Sequence, residues 1–175
     1  MRLFIAVNFN HEITAKLENI IQKLKSQAVQ GNFTRRENLH ITLAFLGETT
    51  KVSEIKKVMD NVKIGAFQLT IEGFGKFPRS GGDIYWLGVE KNHQLEAIHD
   101  QLTAMLLESG FELDKKPFKP HLTLGREIIL KENFEQEVFA KNIAPMRMKV
   151  EKISLMKSER INGKLVYTEI YAKYL

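Results

Sequence analysis

The chain has 175 residues, 43% hydrophobic and 27% charged, with 11 Gly and 4 Pro, a composition that excludes a collagenous, low-complexity or largely disordered protein. Its length favours a single domain over residues 1–175, either uniform or built from two similar halves, and the absence of Cys excludes disulfides, thiolate-bound zinc and thiol catalysis. The formal net charge of +5 suits a phosphorylated or nucleic-acid partner, but a solvated lysine-rich surface would give the same value.

The first half of the chain contains both strand and helix patterns. Apolar periodicity predicts strand 2–8, helix 11–29, strand 38–47, helix 52–62, and strands 67–74 and 84–89. The segment KFPRSGGD, residues 76–83, is the most turn-rich in the chain. We expect it to form an exposed hairpin loop.

The second half begins with a long helix. Asn92 is its predicted N-cap, and Gly110 lies where a left-handed C-cap belongs. Further strands are predicted over 121–128, 148–157 and 165–172, with a turn at 159–163 before the last. Helices and strands do not alternate strictly, which predicts an α+β fold with largely antiparallel sheets.

The longest apolar run, Leu3 to Val7, has five residues, whereas a membrane span needs about 18 or more. One Arg precedes this run, and no small-residue cleavage site follows it. These features predict a cytoplasmic protein with no membrane partner.

One pattern, His-x-Thr-Leu, occurs twice. NLHITLAFLG and KPHLTLGREI align at an offset of 81 residues, which superimposes motif 40–43 on motif 121–124. His40 thereby aligns with His121, and Thr42 with Thr123, whereas the other three histidines lack the pattern. The repeat is the most specific signal in the sequence.

The spacing of two matters because side chains alternate across a strand, so each His shares a face with its Thr. If the two halves are related by a pseudo-two-fold axis, the two imidazoles can lie on either side of one small group. A neutral imidazole can then accept a proton from an attacking oxygen while a protonated one donates to the leaving oxygen. The threonine hydroxyls can donate to non-bridging phosphate oxygens.

Two other interpretations compete with this one. A single His-x-Thr on a strand is usually a half-buried polar pair with no catalytic or binding role. The duplication of the pattern argues against this interpretation. The histidines could also bind a metal, but the sequence has no His-x-His, no His-Glu-x-x-His and no Cys.

The sequence resembles the two-histidine phosphoesterases, specifically the 2′-5′ RNA ligase-like proteins, also called RNA 2′,3′-cyclic phosphodiesterases. The likeness rests on RLFIAV, FTRRENLHITLAFLGE, DIYWLGVE, PFKPHLTLGR and ISLMKSERINGKLVYTEIYAKYL. It implies a bilobal, pseudo-two-fold LigT-like fold, in which two antiparallel sheets flanked by helices enclose the active-site groove. His40 and Thr42 would come from one lobe, and His121 and Thr123 from the other.

The resemblance also implies that Arg126 binds phosphate. Strict alternation would turn Arg126 away from His121, so this role needs a bulge or strand end at Gly125; otherwise Arg126 is a surface charge. Phe33 stands where the family often has Trp, and Arg35 and Arg36 stand where prolines are common, which implies different contacts near the groove entrance.

Further RNA contacts are expected from basic loops ahead of each motif. Arg35 and Arg36 precede His40, and Lys119 precedes His121, so they either border the groove or belong to solvated loops. Phe4 is either a core residue or a ring that stacks on a base.

The resemblance implies hydrolysis of RNA terminal 2′,3′-cyclic phosphates to 2′-phosphates by His40 and His121, without cofactor or metal, and 2′-5′ ligation in reverse. The expected partners are RNA ends of this kind, for example tRNA fragments, and the expected state is a monomer. The alternatives are a phosphodiesterase for another small cyclic or 2′-5′-linked nucleotide, and a non-catalytic RNA-binding module.

Overall fold

The computed structural model describes residues 1–175 as nine strands and four helices. The strands are β1 (Arg2–Asn8), β2 (Ala28–Phe33), β3 (His40–Glu48), β4 (Phe67–Phe77), β5 (Asp83–Val89), β6 (His121–Leu130), β7 (Met146–Val150), β8 (Lys152–Ile161) and β9 (Lys164–Tyr174). The helices are α1 (His11–Ser26), α2 (Val52–Asp60), α3 (His93–Glu108) and α4 (Gln136–Lys141).

The strands form one curled antiparallel sheet of two similar halves. The first half-sheet is β3-β1-β8-β9, and the second is β6-β5-β4-β7 with β2 also beside β6. A single pair of Cα partners, Ile41 and Leu122, joins β3 to β6. The two expected sheets are therefore continuous through their innermost strands, which are the two His-x-Thr strands.

Strand alternation separates the two faces of this sheet. One face carries the main core, a cluster of 34 buried residues that includes the apolar stripes of α1, α2 and α3. Ile41, Leu43, Leu122 and Leu124 point into this core, and each is at most 3% exposed. The opposite face of the first half-sheet holds only a small cluster of Phe4, Ala6 and Met156. Helices thus cover one face and leave the His-x-Thr face open.

The long first helix is shorter than the prediction of 11–29. It ends at Ser26, and the chain continues as β2, an unpredicted strand that pairs with β6 from Ala28 to Phe33. Ala28 continues the helical spacing of apolar residues, but the backbone pairing with β6 overrides that local preference.

The strand predicted over 148–157 was also wrong as a single element. β7 ends at Val150 and pairs with β4 in the second half-sheet, whereas β8 begins at Lys152 and pairs with β1 in the first. Val150 and Ile153 are both buried, so the chain crosses between the halves at Glu151. The six-residue α4, which was not predicted, is too short to show a helical period.

The turn-rich segment 76–83 forms the end of a hairpin, as predicted, but strand structure extends into both of its ends. Gly73, with φ of 87°, lies in a bulge of β4. Pairing with β5 resumes after this bulge, so β4 continues to Phe77. Lys76 pairs with Tyr85 and Phe77 with Ile84, so the turn itself is confined to residues 78–82. The longer strand matters because it carries Phe77 to the site.

Candidate active site

The junction between the two half-sheets brings the two motifs together. Antiparallel pairing of Ile41 with Leu122 sets a register in which His40 lies across from Thr123, and Thr42 across from His121. All four side chains are on the open face, because their neighbours Ile41 and Leu122 point into the core. The two histidines are thus diagonal neighbours, and such positions in an antiparallel pair are about 7–8 Å apart.

Backbone carbonyls fix the tautomer of both imidazoles. Nδ1 of His40 lies 2.7 Å from the carbonyl oxygen of Asn38, and Nδ1 of His121 lies 2.7 Å from that of Lys119. A carbonyl oxygen can only accept, so Nδ1 carries the proton in both rings. In the neutral form each Nε2 therefore presents a lone pair. Nε2 of His40 is 3.0 Å from the Oγ1 of Thr42, which donates to it.

Aromatic rings hold each imidazole, and sequence reasoning missed most of them. The centroids of Phe4 and Tyr167 lie 4.8 and 5.2 Å from the His40 ring. Those of Phe77 and Trp86 lie 5.0 and 6.2 Å from the His121 ring. Phe4 is only 4% exposed, so its ring packs beside His40 as a core residue and has little free surface for a base.

This packing lowers the pKa of both histidines. For His40, burial disfavours the charged form and the positive charge of Arg126 adds to that effect, outweighing the hydrogen bond to the Asn38 carbonyl. For His121, burial again lowers the pKa most, and Arg126 and Lys119 contribute in the same direction. Without substrate, the pair favours its neutral state at pH 7.

Matching bulges lie at the last residue of both motifs. On β3 the register jumps from Thr42 to Ala44 against adjacent residues of β1, and on β6 it jumps from Thr123 to Gly125 against adjacent residues of β5. The extra residues, Leu43 and Leu124, are themselves 81 positions apart.

Each bulge shifts the alternation by one residue, so the side chain two positions after the extra residue points to the open face. On β6 that side chain is Arg126, which lines the groove as the bulge at Gly125 requires. On β3 it is Phe45, which occupies the equivalent position and is 47% exposed. Sequence reasoning missed Phe45, although the same offset of 81 residues relates it to Arg126.

The groove on this face encloses about 1460 Å³. Seven of the nine side chains predicted for the site line it: Phe4, Arg35, His40, Thr42, His121, Thr123 and Arg126.

Two predicted RNA contacts do not line the groove. Arg36 forms an ion pair with Glu18 at 2.9 Å and lines a smaller cleft. The ammonium group of Lys119 lies 5.7 Å from the Phe77 ring and 5.8 Å from that of Trp86. Lys119 reaches the site through its backbone carbonyl, which holds His121.

The structure contains no cluster of three or more His, Cys, Asp or Glu side chains placed to hold a metal ion. It also contains no helix long and apolar enough to cross a membrane.

The sequence matches a known protein family over most of its length. The sequence profile of the 2′-5′ RNA ligase superfamily matches residues 13–162. The chain belongs to this superfamily. An RNA 2′,3′-cyclic phosphodiesterase of Thermotoga maritima is 31% identical over 98% of this chain and 94% of its own. Another, from Archaeoglobus fulgidus, is 38% identical over 72% of each chain.

Solved structures give the same relationship. LigT of Escherichia coli superimposes with a TM-score of 0.82 and 26% identity, covering 99% of this chain and 96% of LigT. LigT complexed with 3′-AMP gives the same score, with 27% identity over 99% and 97% of the two chains. The predicted family and the α+β LigT-like fold class are confirmed.

Proposed function

We propose that this superfamily member hydrolyses terminal 2′,3′-cyclic phosphates on RNA by acid–base catalysis between His40 and His121. The observation that carries the proposal is the pair of imidazoles on one face, each with its Nδ1 proton committed to a carbonyl, which leaves Nε2 as the atom that exchanges a proton. In the absence of substrate, Nε2 of His40 accepts from the hydroxyl of Thr42, which turns to the phosphate when substrate binds. The names of the relatives from T. maritima and A. fulgidus support the same reaction.

The reaction needs one neutral and one protonated histidine. The neutral Nε2 accepts a proton from water as its oxygen attacks phosphorus, and the protonated Nε2 donates to the 3′ oxygen as the P–O3′ bond breaks. The products are a 2′-phosphate and a 3′-hydroxyl. Thr42, Thr123 and Arg126 donate to the non-bridging oxygens, where negative charge accumulates in the transition state.

The same site run backwards, with a 5′-hydroxyl RNA end as the nucleophile, forms a 2′-5′ linkage, because the acid and the base exchange roles. We infer that the substrates are RNA ends such as those of tRNA fragments. We also infer that the protein acts as a monomer in the cytoplasm.

Incubation with a short RNA ending in a 2′,3′-cyclic phosphate tests the proposal. We expect a single 2′-phosphate product by phosphorus NMR, because in-line geometry fixes which ester oxygen lies opposite the nucleophile. Dialysis against EDTA should leave the rate unchanged, since two imidazoles supply both proton transfers. A mixture of 2′- and 3′-phosphates, or a loss restored by a divalent ion, would contradict this mechanism.

The pH dependence gives a second test. Burial and Arg126 lower the pKa of both histidines, so we expect a bell-shaped profile of kcat/KM with its maximum on the acid side of 6.5. The acid limb reports loss of the neutral base, and the alkaline limb reports loss of the protonated acid. Bound anionic phosphate favours imidazolium, so the kcat profile should lie at higher pH than that of kcat/KM. A profile flat from pH 5 to 9 would refute the pairing.

A further inference from the structure

The β8–β9 hairpin extends the groove away from the two imidazoles. Its Cα partners run from Lys152 and Tyr174 to Ile161 and Lys164. Asn162 and Gly163 form the turn, with φ of 51° and 77°, as a tight Asn-Gly hairpin requires. The tip is exposed on both strands and is regularly paired up to the turn, so it projects into solvent as a two-stranded ribbon.

Hydrogen bonds join this hairpin to the segment that precedes the first motif. The Nδ2 group of Asn38 donates to the carbonyl oxygen of Leu165 at 3.0 Å, and the guanidinium group of Arg35 donates to the same oxygen. Tyr167, two residues further along β9, packs edge-on against His40. The hairpin therefore has a fixed position relative to the catalytic imidazole.

The groove is strongly cationic. Its lining has three carboxylates against seven cationic side chains: Arg2, Lys25, Arg35, Arg126, Lys157, Arg160 and Lys164. The hairpin supplies three of these cations. Lys157 is neutralised by Glu159 at 2.9 Å, whereas Arg160 and Lys164 have no carboxylate partner. Unpaired cations at an exposed tip are suited to phosphates that arrive from solvent.

A path for a nucleic-acid strand leads from the site to this tip. Phe45 is exposed on β3, and the guanidinium group of Arg2 lies 5.0 Å from the centre of its ring. Arg2 pairs with Ser158 of β8, and Arg160 lies on the same face two residues further on. Lys164 pairs with Ile161 next to the turn, and it lines the groove from the end of the hairpin. An exposed aromatic ring followed by cations is typical of surfaces that bind single strands by stacking and backbone contacts.

The size of the groove also favours a longer ligand. Sites for drug-sized molecules are typically about 300–1,000 Å³, and this groove encloses about 1460 Å³. It therefore has room beyond the nucleotide that carries the cyclic phosphate. That nucleotide is the 3′ end of its strand, so in hydrolysis the substrate strand can extend into the remaining space only through nucleotides on its 5′ side.

We propose that RNA on the 5′ side of the cyclic phosphate crosses Phe45 and Arg2 and runs along the β8–β9 hairpin, where Arg160 and Lys164 bind its phosphates. These contacts make the protein selective for oligonucleotides over mononucleotides. The inference rests on the proposed function. It adds the direction in which the RNA strand runs and the residues that bind the part of the RNA that a mononucleotide lacks.

The test compares an oligoribonucleotide ending in a 2′,3′-cyclic phosphate with a nucleoside 2′,3′-cyclic phosphate. For the double variant R160Q/K164Q, we expect kcat/KM on the oligonucleotide to fall about 10- to 30-fold at 0.1 M salt, and its log–log salt slope to become shallower by about 1.4. The mononucleotide should be cleaved as by the wild type. The charge-preserving variant R160K/K164R should keep the preference, which separates charge from the turn contact of Arg160 with the Gly163 carbonyl.

Two matched variants complete the design. R147Q/K149Q removes one Arg and one Lys from exposed positions on β7, at the far edge of the second half-sheet, and should leave both rates unchanged. R79Q/K119Q removes the same charges beside Phe77, and tests a path over the second half-sheet instead.

The inference would be overturned if R160Q/K164Q lowered both rates equally or neither, or if only R79Q/K119Q lost the preference for the oligonucleotide. A wild-type protein inactive on both substrates would instead refute the proposed function.

Discussion

His40→Ala and His121→Ala should each lower the rate of cyclic phosphate hydrolysis by about 10²- to 10⁴-fold, the usual contribution of a positioned general acid or base. Both imidazoles lie on the open face, outside the main core, so we expect the variants to remain folded. The measurement is kcat/KM on the cyclic-phosphate oligonucleotide, with circular dichroism to confirm the fold.

His99→Ala is the matched control for these variants. His99 is also partly buried and also stacked on an aromatic ring, that of Phe118 at 3.9 Å, but it lies on α3 and does not line the groove. It should retain full activity. The pH profile of each variant then assigns the roles, since losing the base removes the acid limb and losing the acid removes the alkaline limb. Full activity in either folded variant would eliminate the acid–base pair.

Arg126→Gln should lower kcat/KM by about 10²- to 10³-fold, the cost of removing one preorganised donor to developing negative charge. Arg126→Lys should recover part of the loss, because an ammonium group keeps the charge without the planar fork of donors. The rate on the cyclic-phosphate oligonucleotide measures both effects.

Arg126→Gln also has a readout that a structural defect would not produce. The charge of Arg126 lowers the pKa of both histidines, so its removal should move the bell of kcat/KM to higher pH. Arg147→Gln, on exposed β7, is the control that removes an equal charge far from the groove. An unmoved profile in R126Q would mean that the guanidinium group does not act on the imidazoles.

Local periodicity was sufficient to find the centre of the site. Strand alternation places each His on the same face as its own Thr, because that property depends on neighbouring residues only. The shared face of the two motifs could be stated only as conditional on a pseudo-two-fold axis, because it depends on the pairing of β3 with β6. The position of Arg126 could be stated only as conditional on a bulge. A bulge depends on how β6 pairs with β5, which no local pattern records.

The surroundings of the imidazoles could not be predicted for the same reason. Tyr167 reaches His40 from 127 positions away, and Phe77 reaches His121 from the end of a strand that a turn-rich composition had concealed. The division of 148–157 into two strands was equally hidden. Apolar β-forming residues lie on both sides of Glu151, so the sequence shows no boundary there. The two strands differ only in their pairing partners, which are β4 for β7 and β1 for β8.

The way the strands interleave has a consequence for how the chain folds. The first half-sheet combines β1 and β3, complete by residue 48, with β8 and β9, which begin only at residue 152. The second half-sheet takes β2 from residues 28–33 and its other strands from beyond residue 66. Neither half-sheet is formed by a continuous stretch of sequence. Cutting the chain at a single position therefore cannot release a fragment that contains one complete half-sheet and nothing of the other.

Strands that are far apart in sequence pair slowly. The chain between them must first close into a loop, and the entropy lost in that closure is compensated only when the contacts form. During synthesis, β1 therefore leaves the ribosome long before its partner β8 exists, and it presents an unpaired edge until then. The nascent protein gains its groove only with the last hairpin.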